Sequence, residues 1–214
     1  SVLRKTLKIP KVNHSGGANE APNALNNLLG SLQQEAGIRV SVGTHMVSLT
    51  DSIEQYPILF VHGRRTFQWT AAERQALRKY VESGGLLFAD SICASSQFAE
   101  SFRREMRLTF PEQVLRRLPT EHELFTSDFG GFDVRQVTLR SPASQQDSSP
   151  SRINELKVTP HIEGIQLDGR LAVAFSPYDL SCALENQVSL ECRGYIQKDA
   201  ARVGSNIVIY ALQQ

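Results

Sequence analysis

The chain has 214 residues, 23 basic and 22 acidic side chains, and a formal net charge of +1. So even a balance argues against a general nucleic-acid or membrane-surface binder, which needs a basic excess, and no apolar run reaches the roughly 18 residues of a membrane span. The length and an apolar fraction of 41% suit one large domain that buries a full core without help from disulfides or metals.

The elements can be taken in chain order. Leu7 and Ile9 alternate in LKIPKV and predict a short first strand. The Gly-rich segment His14 to Glu20 follows as a loop, and Pro22 opens a helix whose Leu25, Leu28, Leu29 and Leu32 form one apolar stripe. Gly37 supplies its stop, and Ile38, Val40 and Val42 alternate as a second strand. Ile58 to Val61 is a continuous apolar run between Pro57 and Gly63, as in a strand buried on both faces. Thr70 and Glu73 form a capping box for a helix that buries Leu77, Tyr80 and Val81 and ends at Gly84. Leu86 to Ala89 is another central strand. Ser95 or Ser96 then caps a helix with Phe98, Phe102 and Met106 spaced at four.

After Pro111 the pattern loosens, and 127–160 reads as an insertion or flexible segment within a single domain spanning 1–214. Its Ser/Gln/Pro-rich part, 141–152, reads as an exposed mobile loop. Leu171 to Phe175 is a late strand. From Asp199 to Leu212, Ala201, Gly204, Ile207, Val208 and Ala211 fall near helical spacing, with strand as the alternative for the β-branched NIVIY stretch. The βαβαβα order with short connections implies an α/β fold: a mostly parallel sheet with helices on both faces. In such sheets ligands bind beyond the carboxyl ends of the strands. That places candidate site edges at His62-Gly63 and at Asp90 to Cys93.

Cysteines occur at 93, 182 and 192 with no CxxC pair, which argues against a structural zinc site. An odd count leaves a free thiol or an intermolecular bridge. Cys93 and Cys182 both follow strand ends, so a Cys93–Cys182 contact is one pairing and Cys182–Cys192 its competitor. No signal peptide is visible. The chain opens on Ser1 rather than Met, as a trimmed product does.

GGLLFAD after a capped helix, then SFRREM, the H-x-L-F of His122 to Phe125, GIQLDGRLAVAFSPYDLSCALE and VGSNIVIYAL together resemble the bacterial family catalogued as domain of unknown function 4159. The resemblance runs from about Leu7 to Leu212 and is weakest over 127–160. It implies a class I glutamine amidotransferase-like fold, a flavodoxin-like three-layer α/β/α sandwich. It also implies an extracytoplasmic place, periplasmic or tethered through a preceding region, with a cytoplasmic one as the alternative. It implies no particular reaction.

In amidotransferases the strand-end residue is a cysteine nucleophile activated by a downstream His and Glu. Here that residue is Asp90, and no H-x-E pair lies near the C-terminus, which argues against glutaminase chemistry. Cys93 remains a candidate nucleophile at a helix N-terminus, where a thiol pKa falls, with His62 as its base and Asp90 beside it. Arg103 or Arg104 turned into the cleft would hold a carboxylate or phosphate by its planar fork. His122, Asp179 and Cys182 also follow or neighbour strand ends and are, with the arginines, the candidate ligand-binding residues. His62, Asp90, His122 and Asp179 have no short metal-ligand spacing, so neither metal nor cofactor is assigned. His14 to Gly17 is not a nucleotide-binding motif, and Phe67 and Trp69 read as local packing. The expected function is a non-enzymatic ligand-binding or assembly module whose partner is a small molecule or a protein. The alternative is a hydrolase-like enzyme acting on a small polar or carbohydrate-related substrate through Asp90, Cys93 and His62.

Overall fold

The computed structural model describes residues 6–142, 154–187 and 192–214. Its order is β1 (Lys11–Val12), α1 (Ala24–Ala36), β2 (Met46–Val47), β3 (Ile58–Gly63), α2 (Ala71–Glu82), β4 (Leu86–Ser91) and α3 (Ser96–Thr109), then β5 (Arg116–Arg117), β6 (Val137–Ser141), β7 (Asn154–Val158), β8 (Glu163–Leu167), β9 (Arg170–Ser176), α4 (Ser181–Leu184), β10 (Gly194–Tyr195) and α5 (Gln197–Gln213). One sheet has the order β2-β1-β3-β4-β9-β8-β5. Its β2-β1-β3-β4-β9 part is parallel, and β8 and β5 add to it antiparallel.

The long strands are buried on both faces, and alternate residues feed two cores. Ile58, Phe60, Leu86, Phe88 and Ala174 face α1, α4 and α5, meeting Leu25, Leu28, Ala183, Val203 and Ile207. Leu59, Val61, Leu87, Ala89, Val173 and Phe175 face α2 and α3, meeting Leu77, Val81, Phe98, Phe102 and Met106. The helices therefore cover both faces of a mostly parallel sheet.

The capping box is present: Thr70 Oγ1 accepts from Glu73 N at 3.1 Å, and Glu73 Oε1 accepts from Thr70 N at 3.0 Å. Ser95 caps α3, accepting from Phe98 N. Gly37 closes α1 at φ 66°, a left-handed conformation that costs glycine little.

Several expectations are corrected. The first strand is Lys11–Val12, and Leu7 makes only an isolated bridge to Val40. The second strand is Met46–Val47 rather than 38–42. There Val42 is exposed, so alternation without a covering layer does not make a strand. The last segment is helix: its apolar residues at helical spacing pack against α1, and this tertiary gain outweighs the β-branched preference for strand. A second, antiparallel sheet of order β10-β6-β7 was not foreseen. Through it, and through buried Phe129 and Val134, residues 127–142 are built into the core. Of the loop read at 141–152, residues 143–152 lie outside the described residues.

Candidate functional site

β4 and β9 run parallel and in register, with Asp90 opposite Ser176. Beyond their carboxyl ends the chain turns through Ile92–Ala94 on one side and Pro177–Leu180 on the other. Between these turns lies a cavity of about 430 Å³, lined among others by Cys93, Ser96, Arg103, His161, Tyr178 and Arg193. This is the crevice that an open α/β sheet offers to a ligand.

Beneath it, two carboxylates hold the start of α4. A helix leaves its first amide N–H groups without internal partners. Asp90 accepts from Leu180 N at 3.0 Å and Ser181 N at 2.9 Å. Asp179 accepts from Cys182 N at 3.1 Å, Ala183 N at 3.2 Å and, across the turn, Cys93 N at 2.7 Å. Burial, then the neighbouring Asp179 charge, push the Asp90 carboxyl well above its ordinary range. Burial also raises Asp179, against its backbone N–H partners.

His62 and Asp90 sit side by side across β3 and β4, and Ser181 connects them. Its Oγ donates to Asp90 Oδ2 at 2.5 Å and lies 2.8 Å from His62 Nδ1. In a catalytic triad the imidazole stands between hydroxyl and carboxylate, so that it can take the hydroxyl proton. Here the hydroxyl stands in the middle. All three side chains are wholly buried. Burial, with the nearby Lys11 charge, keeps the His62 imidazole well below its ordinary value and hence neutral. The Ser181 hydroxyl has one proton to share between Asp90 Oδ2 and His62 Nδ1. This arrangement can hold a proton inside the protein, but it offers no nucleophile to the cleft.

Cys93 is disulfide-bonded to Cys192, with Cα atoms 4.6 Å apart, and Cys182 is the free cysteine. Neither pairing weighed from the sequence occurs. Both had Cys182 as a partner. The antiparallel pairing of β10 with β6, and the bridge between Asp179 and Gly194, carry Cys192 to the strand-end turn. Cys93 and Ala94 both have positive φ, 59° and 53°, a conformation disfavoured for side-chain-bearing residues. The bridge and the Asp179 contact hold it. In this state Cys93 carries no thiol, and His62 hydrogen-bonds to Ser181 rather than to Cys93.

The arginines divide. Arg103 borders the cleft but forks onto Glu163, with Nε–Oε1 at 2.9 Å and Nη2–Oε2 at 2.6 Å. Glu163 also pairs with His161 Nε2 at 3.0 Å. Burial alone would raise the Glu163 carboxyl, but the hydrogen bonds and charges of Arg103 and His161 hold it down to about 2. Arg104 donates to the Phe67 carbonyl at 2.5 Å and does not line the cavity. His122 caps a short 3-10 turn through Leu124 N at 3.0 Å and packs against Tyr210, away from the crevice. Phe67 and Trp69 are buried packing residues.

The structure therefore brings Asp90, His62, Asp179, Cys93 and Cys182 together and leaves out Arg104 and His122. Sequence reasoning missed Ser181, Glu163, Tyr178 and Arg193. Tyr178 and Ser181 left a trace, lying just past a strand end in SPYDLSC. Among the described residues, the one compact group of possible metal ligands is Cys93, Cys182 and Cys192.

These features define a parallel-sheet α/β domain with a polar crevice at its strand ends and a braced, disulfide-tied floor. Residues 8–212 match the family described as Domain of unknown function (DUF4159), and the chain belongs to that family. No curated protein matches the chain.

Proposed function

We propose that the chain is a non-enzymatic binding module that takes a small anionic ligand in the crevice between β4 and β9. The observation that carries this reading is the separation of the reactive groups from the cleft. His62, Asp90 and Ser181 are sealed in the core, while the cavity is lined by the basic side chains Arg193, His161 and Arg103, the last already forked onto Glu163. Arginine forks and imidazole suit carboxylate, sulfate or phosphate. The Cys93–Cys192 bridge supports an extracytoplasmic place, because disulfides persist in oxidising compartments. The parallel β1-β3-β4-β9 core with helices on both faces supports the amidotransferase-like sandwich as the fold type.

The test is calorimetric titration of the oxidised chain with inorganic phosphate, sulfate and a small dicarboxylate, repeated on Arg193→Ala. Saturable binding that weakens at least about tenfold in the variant is expected, as for loss of a charge-assisted contact. Absence of binding, or equal binding by the variant, would sink the reading.

A second reading, the hydrolase-like enzyme, draws on the strained turn at Cys93 and Ala94, since such strain gathers at active sites. It requires the reduced protein, and an activity that Cys93→Ser abolishes.

A further inference from the structure

The sulfurs of Cys93, Cys182 and Cys192 all lie within 4.8 Å of one another. They come from three separate elements: the turn after β4, the first turn of α4, and the residue two before β10. Asp179 organises all three. Its carboxylate takes the amides of Cys93 and Cys182, and its backbone N–H donates to the carbonyl of Arg193, next to Cys192. Cys93 and Cys192 are bonded to each other, so only this pair has to move apart, on reduction, to reach the spacing of sulfurs around one ion. Zinc–thiolate bonds of about 2.3 Å place sulfurs roughly 3.8–4.0 Å apart around one ion. We propose that, when the Cys93–Cys192 bridge is reduced, the three cysteines form a thiolate site for a thiophilic cation, with Zn²⁺ its natural occupant.

The chemistry balances. A dithiol reductant gives two electrons and two protons to the bridge and is itself left as a disulfide. The cation then displaces the thiol protons, since a coordinating thiol is deprotonated. Three thiolates select Zn²⁺ or Cu⁺ over the harder cations. Cys93 borders the crevice, which gives an entry path and room for a water as fourth ligand. The proposal does not rest on the anion-binding reading, which concerns the oxidised protein.

The test uses the full chain, reduced and kept anaerobic, titrated with Co²⁺ as a spectroscopic probe and then with Zn²⁺. One equivalent of Co²⁺ should raise a thiolate-to-metal charge-transfer band that Zn²⁺ abolishes, and the oxidised protein should show none. Cys182→Ser, which leaves the bridge pair intact, should weaken binding at least about tenfold, the loss that even an outer-shell change brings. No band in the reduced protein, or unchanged binding in Cys182→Ser, overturns the proposal. Should reduction alone unfold the chain, Zn²⁺ must restore its circular dichroism, and failure to do so overturns it equally.

Discussion

Loss of the Cys93–Cys192 bridge should be the most costly single change near the cleft that leaves the core intact. The two residues are separated by 99 positions, so the bridge closes a loop that takes in β5 to β9 and α3. In the chain-entropy account a loop of about 100 residues is worth about 4.7 kcal/mol at 25 °C. Measured values commonly fall below this, so Cys192→Ser should cost about 3–5 kcal/mol. For a chain of this size each kcal/mol moves the midpoint by roughly 2–4 °C, which gives a fall of about 6–20 °C. Cys182→Ser should cost less than about 1 kcal/mol, because its half-buried sulfur carries no bridge. Thermal and urea unfolding of wild type and both variants, with and without reductant, measure this directly. A thiol count on the unfolded, unreduced chain should find one reactive sulfur. The reasoning fails if Cys192→Ser melts within about 2 °C of wild type, or if Cys182→Ser is the more damaging variant.

Ser181→Ala should destabilise by roughly 2–4 kcal/mol, because it strips a partner from both His62 and Asp90 at full burial; a urea midpoint close to wild type would refute the linkage. A Cβ on Gly194 would lie 2.6 Å from Asp179 Cβ and 2.7 Å from its carbonyl oxygen, so Gly194→Ala should cost about 1–3 kcal/mol in the same assay. Stability should also fall in acid in two stages. His62 is held well below its ordinary 6.5, so the stability it adds is present above that pH and lost as pH falls below it. Glu163 is held at about 2 against an ordinary 4.5, so its share is present above 4.5 and lost as pH falls toward 2. Urea midpoints across this range should show the first stage vanish in His62→Gln and the second shrink in Arg103→Ala, and unchanged profiles would contradict the assignments.

The fold was legible where local chemistry and tertiary structure agree. Apolar runs such as ILFV and LLFA can be buried only between two helical layers, and the Thr70–Glu73 box marks its helix without outside help. The β10-β6-β7 sheet was illegible because its residues carry weak alternation, and because one of its two pairings, β10 with β6, joins segments more than 50 positions apart. The site was half legible. Strand ends gave Asp90, His62 and Asp179, since position in an α/β sheet is enough to aim a side chain at the crevice region. Whether that side chain reaches the cleft or turns inward depends on what waits beneath it. Here the amides of α4 wait, and no spacing in the sequence announces them. Cys192 was misjudged for the same reason: its partner is fixed by β10 folding back on β6, a contact between distant segments.

Asp90 and Asp179 look catalytic in sequence because carboxylates at strand ends often are. Their bonding argues for another role. Between them they accept from Leu180, Ser181, Cys182 and Ala183, the amides that begin α4, and from Cys93 across the turn. A helix of four residues has too little internal hydrogen bonding to stand alone, so these contacts are what place it. Ser181 and Cys182 ride on that helix, and the Cys93 amide is bonded to the same carboxylate as Cys182. The two aspartates thus hold the proton chain and the sulfur cluster in one frame, with the crevice above it. A change at either carboxylate should therefore alter His62, the cysteines and the cleft wall together, whereas a change at Arg193 should alter the cleft alone.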